Sequence, residues 1–317
     1  MKILGRNNGM PAIILMAYGS PNSLDEVADY LSQVRGGRGS SLDEIEHLKN
    51  RYQRVGGRTP LLQITKAQSE ALEKKLVAEG LPARVSYGMK HWHPFIEDVV
   101  EKIDLDNPPA LVGVALAPHY SKLSIGGYED SVRRGLAKKN SSRRFIMVKS
   151  WHLQPSLIRA LSSRVSNKLR EMGDSRETAL VFTAHSLPIA AVSKDDSYQV
   201  QLLQTSKLVA EEAKVTKWHF AFQSASGPSG TWLGPSFKEK ISELSRNGTK
   251  QILVCPVGFV SDHLEILYDL DVEAREFAET HGIALDRTPS LNDDPGLIEA
   301  LASTVRPILV GEPIAAS

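Results

Sequence analysis

The sequence predicts an α/β protein of two doubly wound domains, each a parallel sheet flanked by helices, on three observations. Short β-rich runs alternate with longer amphipathic stretches along almost all of the 317 residues. The runs are nearly continuous in apolar character, as strands covered on both faces are. The alternation also occurs twice, in halves of similar size meeting near Lys149–Pro155, so 1–150 and 151–317 are the expected units.

The first strand is Ala12–Ala17, an apolar run closed by the turn residues Tyr18-Gly19-Ser20-Pro21. Arg84–Gly88, Ala110–Leu116 and Phe145–Val148 follow in the first half, and Ala179–Ala184, Trp218–Phe222 and Gln251–Val254 in the second. Leu61–Glu79 reads as a helix with Ile64, Leu72 and Leu76 on one stripe and Thr65 as its N-cap; Tyr198–Lys214 reads as another, with Leu202, Val209 and Ala213 on one face. The last residues, Val310–Ser317, have the composition of a loose tail.

Composition narrows the function. Hydrophobic residues make up 41% and charged residues 24%, with Lys+Arg 38 against Asp+Glu 37, which argues against disorder and against a strongly basic nucleic-acid binder. A single cysteine, Cys255, leaves no disulfide framework, CxxC pair, Cys-rich zinc site or Cys-ligated iron–sulfur cluster, and a reducing cytosol is the expected compartment. No run approaches the roughly 18 apolar residues of a membrane span. GxGxxG, GxxxxGK[ST] and GxSxG are all absent, so the architecture brings no dinucleotide site, P-loop or nucleophile elbow.

Chemistry then falls to the strand ends, where open α/β sheets bind ligands. His119 follows the strand ending at Leu116, and His185 the one ending at Ala184. Glu265, Asp269 and Glu273 stand four residues apart on an expected helix, a row of carboxylates about 6 Å per step. Such a row fits either a solvated helix face or a relay for a divalent cation. Paired with Glu265, the His185 imidazole offers an N/O site of the kind that suits Fe²⁺ or Zn²⁺ and accepts a proton near neutral pH. A serine hydrolase built on His185-Ser186 is a weaker alternative without its elbow. Tyr18, Arg35, Arg51, Tyr52, Lys90, His91 and Tyr128 gather near other strand ends, where guanidinium groups suit carboxylates and rings suit a flat apolar ligand.

From about Ile13 to Leu301 the chain resembles the ferrochelatase family. The blocks that carry the resemblance include Met16-Ala17-Tyr18-Gly19-Ser20-Pro21, Gly56-Gly57-Arg58-Thr59-Pro60-Leu61, Lys90-His91-Trp92-His93-Pro94-Phe95, Leu116-Ala117-Pro118-His119-Tyr120-Ser121, Thr183-Ala184-His185-Ser186-Leu187-Pro188 and Ser261-Asp262-His263-Leu264-Glu265. The resemblance implies two Rossmann-like domains with a chelatase-like cleft between them, and insertion of Fe²⁺ into a porphyrin held there. It implies His185 and Glu265 as the metal-binding and proton-accepting pair, with Asp269 and Glu273 continuing the acidic row. Tyr18 is implied to face the porphyrin centre, Arg35, Arg51, Tyr52, Thr59 and Tyr128 to contact the ring or its propionates, and Lys90 and His91 to stand near the cleft mouth. Porphyrin and ferrous iron are the expected partners, with no organic cofactor and a monomeric state.

Within the family the chain is similar to the branch that metallates coproporphyrin III, a tetracarboxylate. The segment matching an apolar lip in membrane-linked members reads Arg35-Gly36-Gly37-Arg38-Gly39-Ser40-Ser41-Leu42-Asp43-Glu44, polar in character, and Tyr18 stands where that branch usually carries Met. The alternatives are the same reaction on protoporphyrin IX and a tetrapyrrole or metal carrier without catalysis.

Overall fold

The computed structural model describes residues 9–173, 178–193, 195–225 and 231–311. Its first sheet comprises β1 (Ala12–Ala17), β2 (Arg84–Met89), β3 (Leu111–Ala115) and β4 (Phe145–Val148), all parallel in the order β2-β1-β3-β4. Its second comprises β5 (Thr178–His185), β6 (Trp218–Gln223), β7 (Gln251–Cys255) and β8 (Ala284–Arg287), again parallel, in the equivalent order β6-β5-β7-β8. The expected strands are all present to within one or two residues at their ends. β8 was not expected from the sequence. Its Ala-Leu-Asp-Arg run is short and half polar, as an edge strand with one pairing neighbour can be.

Crossovers cover both faces of each sheet. Four helices lie between the sheets: α3 (Leu61–Ala78), α6 (Pro155–Met172), α7 (Tyr198–Glu212) and α11 (Pro295–Val310), counting α1 (Val27–Val34), α2 (Leu42–Gln53), α4 (Ile96–Leu105) and α5 (Gly127–Lys138) in chain order. Leu72 and Leu76 of α3, Leu202 and Val209 of α7 and Leu297 and Leu301 of α11 join Ile13, Leu15, Leu180 and Phe182 in one core that runs from sheet to sheet. The outer face of the first sheet is covered by α4 and α5 through Val100 and Val132. The outer face of the second is covered by α8 (Phe237–Arg246) and by the segment after β7, through Ile241, Ile266 and Leu270. Strand β1 is buried along its whole length, which explains its unbroken apolar sequence.

Two local expectations are corrected. Thr65 lies inside α3 rather than at its start: Pro60 is the N-cap, and the Thr65 hydroxyl donates to the Leu61 carbonyl. The acidic row is not one regular α-helix. It comprises a single turn, α9 (Leu264–Leu267), then a π-helical stretch over Asp269–Ala274 that passes into α10 (Arg275–Thr280). The expected tail falls mostly on 312–317, outside the described residues. No helix among the described residues is long and apolar enough to cross a membrane.

Candidate functional site

Both sheets reverse direction of winding at their first strand: the chain leaves β1 to one side for β2 and returns to the other for β3, and β5 to β7 repeats the pattern. Such switch points open a crevice at the carboxyl ends of the strands. Tyr18 follows β1, His119 follows β3, His185 ends β5, and Glu265 follows β7. All four line one cavity of about 410 Å³, together with Lys90, His91, Tyr128, Leu123, Phe259 and His263. That volume lies within the range of small-molecule sites.

His185 and Glu265 meet in this cavity. The imidazole Nε2 lies 3.4 Å from Glu265 Oε1, and each side chain is about 30% exposed, at 30% and 29%. Nδ1 of His185 bonds the Ser186 carbonyl, which can only accept, so Nδ1 carries a proton and Nε2 is the nitrogen turned toward Glu265. Burial works against a charge on this ring, yet the Glu265 carboxylate outweighs it and lifts the pKa to about 9. Burial alone would raise Glu265, but His185 and then His263 hold it well below the usual carboxylate range. Near neutral pH the pair rests as imidazolium and carboxylate.

The surrounding bonds fix this geometry. The Gln223 side chain, at the end of β6, donates to the Glu265 carbonyl at 2.7 Å and accepts from Thr183 at 2.8 Å, tying the Glu265 backbone to β5. The Tyr198 hydroxyl donates to the His185 carbonyl at 3.0 Å. Gly258 packs against β5 so closely that a Cβ there would lie 2.6 Å from Ala184 Cβ. Gly19, with φ of +101°, turns the chain out of β1 where a Cβ would meet the Trp92 backbone nitrogen at 2.9 Å.

His263 was not singled out by the sequence analysis. Its Nε2 lies 3.4 Å from Glu265 Oε2 and its Nδ1 2.9 Å from the Ser261 carbonyl, so each oxygen of Glu265 faces the Nε2 of one ring whose Nδ1 is held on a backbone carbonyl, and against the effect of burial Glu265 raises the His263 pKa. Its extended backbone, φ −155° and ψ −175° at the N-cap of α9, puts its side chain on the side of Glu265 two residues on. The His-x-Glu spacing was the available signal.

A second cavity of about 380 Å³ shares His185 and Glu265 with the first and is lined by Arg51, Ser224, Lys238, Asp269 and Glu273. The pair therefore stands between two chambers, one largely apolar and one polar. The acidic row lines the polar chamber, but its charges are met by bases rather than left to repel. Arg51 and Ser224 bond Asp269, Lys238 pairs with Glu273 at 3.2 Å, and Arg54 pairs with Glu276. Burial and the nearby Glu265 raise the Asp269 pKa against the pull of Arg51.

The remaining expected residues divide between these places. The Tyr18 ring lies 4.5 Å from that of His91 at an interplanar tilt of 52°, and confinement together with Glu265 keeps its hydroxyl protonated. Burial and then Lys90 push His91 down to about 4, leaving it neutral. Lys90 lies over the Tyr128 ring at 5.4 Å, and burial and then Arg134 lower its pKa against the pull of Asp130. Arg35 lines neither cavity; its guanidinium grips Glu44 at 2.9 and 2.5 Å on the rim. Tyr52 and Thr59 are placed otherwise than as ligand contacts: 1% and 6% exposed, they form a buried hydroxyl chain with Ser20, at 3.0 and 2.8 Å. Ser186 is fully buried and donates to the Leu233 carbonyl, which removes the hydrolase alternative. Among the described residues no group of three or more His, Cys, Asp or Glu is arranged to hold a metal ion.

Comparisons with known proteins agree with this arrangement. In fold the chain is similar to the sirohydrochlorin chelatase SirB from Bacillus subtilis subspecies spizizenii in complex with cobalt, at a TM-score of 0.57 and 12% identity, covering 96% of this chain and 97% of that one. In sequence it is 42% identical over 298 residues to a protein named Ferrochelatase from Herpetosiphon aurantiacus, covering 93% of this chain and 97% of the relative. It is 37% identical to one named Coproporphyrin III ferrochelatase from Geobacillus thermodenitrificans, covering 92% and 94%. A family model described as Ferrochelatase matches residues 10–308. With a two-sheet chelatase architecture, a histidine–glutamate pair at the meeting of two chambers and a family match over nearly the whole chain, this protein belongs to the ferrochelatase family.

Proposed function

We propose that the chain inserts Fe²⁺ into coproporphyrin III, with the macrocycle in the apolar chamber and the metal approaching His185 and Glu265. The observation that carries the mechanism is the pair's position on the wall shared by the two chambers. A free-base porphyrin must surrender two inner N–H protons for the ion to enter, so the site has to hold protons and metal in turn.

The resting imidazolium first has to lose its own proton. A dication arriving at Glu265 both cancels the carboxylate charge that sustains the imidazolium and repels it directly, so deprotonation of His185 accompanies metal arrival. Neutral Nε2 can then hold the ion beside Glu265 and, once the ion passes to the ring, take up a displaced proton, with Nδ1–H held on Ser186 throughout. Two protein ligands bind an ion less firmly than the four of a structural site, which suits a metal that must move on to the ring. Asp269, its pKa already raised, offers the next proton acceptor toward the polar chamber. Side chains supply every proton step, and no organic cofactor is required. We assign Tyr18 to the ring face opposite, since it senses Glu265 across the cleft. We keep the unit boundary near residue 150, between the last strand of one sheet and the helix leading to the next, and take the chain to be a cytoplasmic monomer of the lyase class.

Preference for a tetracarboxylate is supported by the Lys90 ammonium beside Tyr128 at the cavity wall, by the polar segment Arg35–Glu44, and by relatives that carry the coproporphyrin III name. Cations suit propionates at a cleft wall. The test is anaerobic Fe²⁺ insertion followed by absorbance, with coproporphyrin III and protoporphyrin IX compared under one detergent condition. A kcat/KM at least tenfold higher for coproporphyrin III is expected; equal or reversed preference overturns the assignment, and ring binding without metallation would favour the carrier.

A further inference from the structure

We propose that Arg287 is a positioning residue for metal insertion: from the end of β8 it clamps both ends of the arc Asp262–Asp271, and so sets where Glu265 stands relative to His185. Arg287 Nε and Nη2 bond the two Asp271 carboxylate oxygens at 2.7 and 2.8 Å, and Nη2 also reaches Asp262 Oδ1 at 3.2 Å. Nη1 donates to the Thr288 carbonyl at 3.2 Å. One fork thus holds a carboxylate three residues before Glu265 and another two residues after Asp269.

Gln223 holds the arc at the Glu265 carbonyl and Arg51 and Ser224 hold it at Asp269, but its two ends need a further hold. Its regular helix is a single turn over Leu264–Leu267, followed by π winding, and one turn has too few internal bonds to maintain its own position. The Asp262 end is itself well anchored. Ser290 donates to its Oδ1 at 2.7 Å, Asn292 donates to its Oδ2 at 2.9 Å, and its own N–H donates to the Asn292 side chain at 2.9 Å. At the far end, Arg287 is the ion-pair partner of Asp271, so the guanidinium refers the π-helical half of the arc to this fixed loop. Its side chain is 13% exposed, and a planar fork is what the two-carboxylate geometry requires; a lysine supplies one point charge.

The inference rests on the reading in which His185 and Glu265 act on metal and protons. Arg287 lines neither cavity, so its loss removes no ligand contact. Its effect belongs in kcat rather than in porphyrin KM.

The experiment compares the full chain with Arg287→Ala, Arg287→Lys and Asp271→Asn in anaerobic Fe²⁺ insertion, with circular dichroism for folding and fluorescence quenching for porphyrin affinity. We expect a fall in kcat of at least tenfold in all three, with porphyrin KM and dissociation constant within twofold of the parent. Millimolar guanidinium should raise kcat of Arg287→Ala at least threefold without affecting the parent. The proposal is overturned by a folded variant with kcat within twofold of the parent, by a loss carried in porphyrin KM, or by absent rescue in folded Arg287→Ala. If Arg287→Ala does not fold, Arg287→Lys and the partly exposed Asp271→Asn decide on the same criteria. A parent chain that binds porphyrin and never metallates it would overturn the functional reading instead.

Discussion

Replacing Glu265 by Gln keeps the shape of the side chain and removes the charge that holds a proton on His185. The lift from 6.5 to about 9 corresponds to roughly 3 kcal/mol at 1.36 kcal/mol per unit. Coulomb's law over the 3.4 Å separation gives about 5 kcal/mol at an effective dielectric near 20, and burial of the ring, acting the other way, accounts for the smaller net figure. With the carboxylate gone, burial is opposed only by the bond to Ser186 and the more distant Asp269, so His185 should titrate at or below its ordinary 6.5. The assay is an NMR titration of isotope-labelled histidine in both proteins, beside insertion kinetics, in which loss of the pair should cost about 100-fold or more in kcat. The stability consequence has a definite sign. The contribution of His185 is complete below its unfolded pKa of 6.5 and is lost as pH rises through about 9, while that of Glu265 is complete above 4.5 and is lost as pH falls toward its depressed value. The Gln variant should therefore be most destabilised between about pH 4.5 and 6.5 and approach the parent above pH 9. A His185 that titrates near 6.5 in the parent, or that does not move in the variant, would refute the argument.

Two further substitutions probe the second chamber and the packing behind the pair. Arg51→Gln leaves buried Asp269 without its cation; a cost of about 2 kcal/mol is expected, less than for a fully buried pair because the guanidinium is partly exposed, with KM for Fe²⁺ raised about tenfold and porphyrin KM unchanged. A rise confined to porphyrin KM would instead return Arg51 to the ring's carboxylates. Gly258→Ala drives a methyl group to 2.6 Å from Ala184 Cβ and 2.9 Å from its Cα, next to His185, so a loss of about 1–3 kcal/mol should appear in thermal melting together with reduced kcat. An unchanged melting temperature would show that β5 yields more easily than its packing implies.

How much was legible in the chain depended on how local each feature is. Seven strands were readable from apolar runs such as Ala12–Ala17 and the Ile252–Val254 stretch; β8 lacked that signal because two of its four residues, Asp286 and Arg287, are charged. His185 was legible because a polar residue at the end of such a strand falls at the cleft in any sheet wound this way, and Glu265 through its four-residue spacing to Asp269 and Glu273. His263 escaped because its significance lies in an extended backbone at the N-cap, a conformation its neighbours do not announce. Tyr52 and Thr59 have side chains suited to propionates, and only packing revealed that Ser20 takes their hydroxyls.

By itself, then, the order of residues determined the two wound sheets, the crevice at their switch points and the presence of a base beside a carboxylate. Tertiary structure decided the partners: that Asp269 is met by Arg51 from 218 residues away, that the acidic stretch winds as a π-helix, and that one arginine of an edge strand grips both ends of the arc carrying Glu265. Periodicity and strand-end position are properties of a segment and travel with it. Which charges neutralise one another depends on distances that exist only after strands far apart in the chain have come into register.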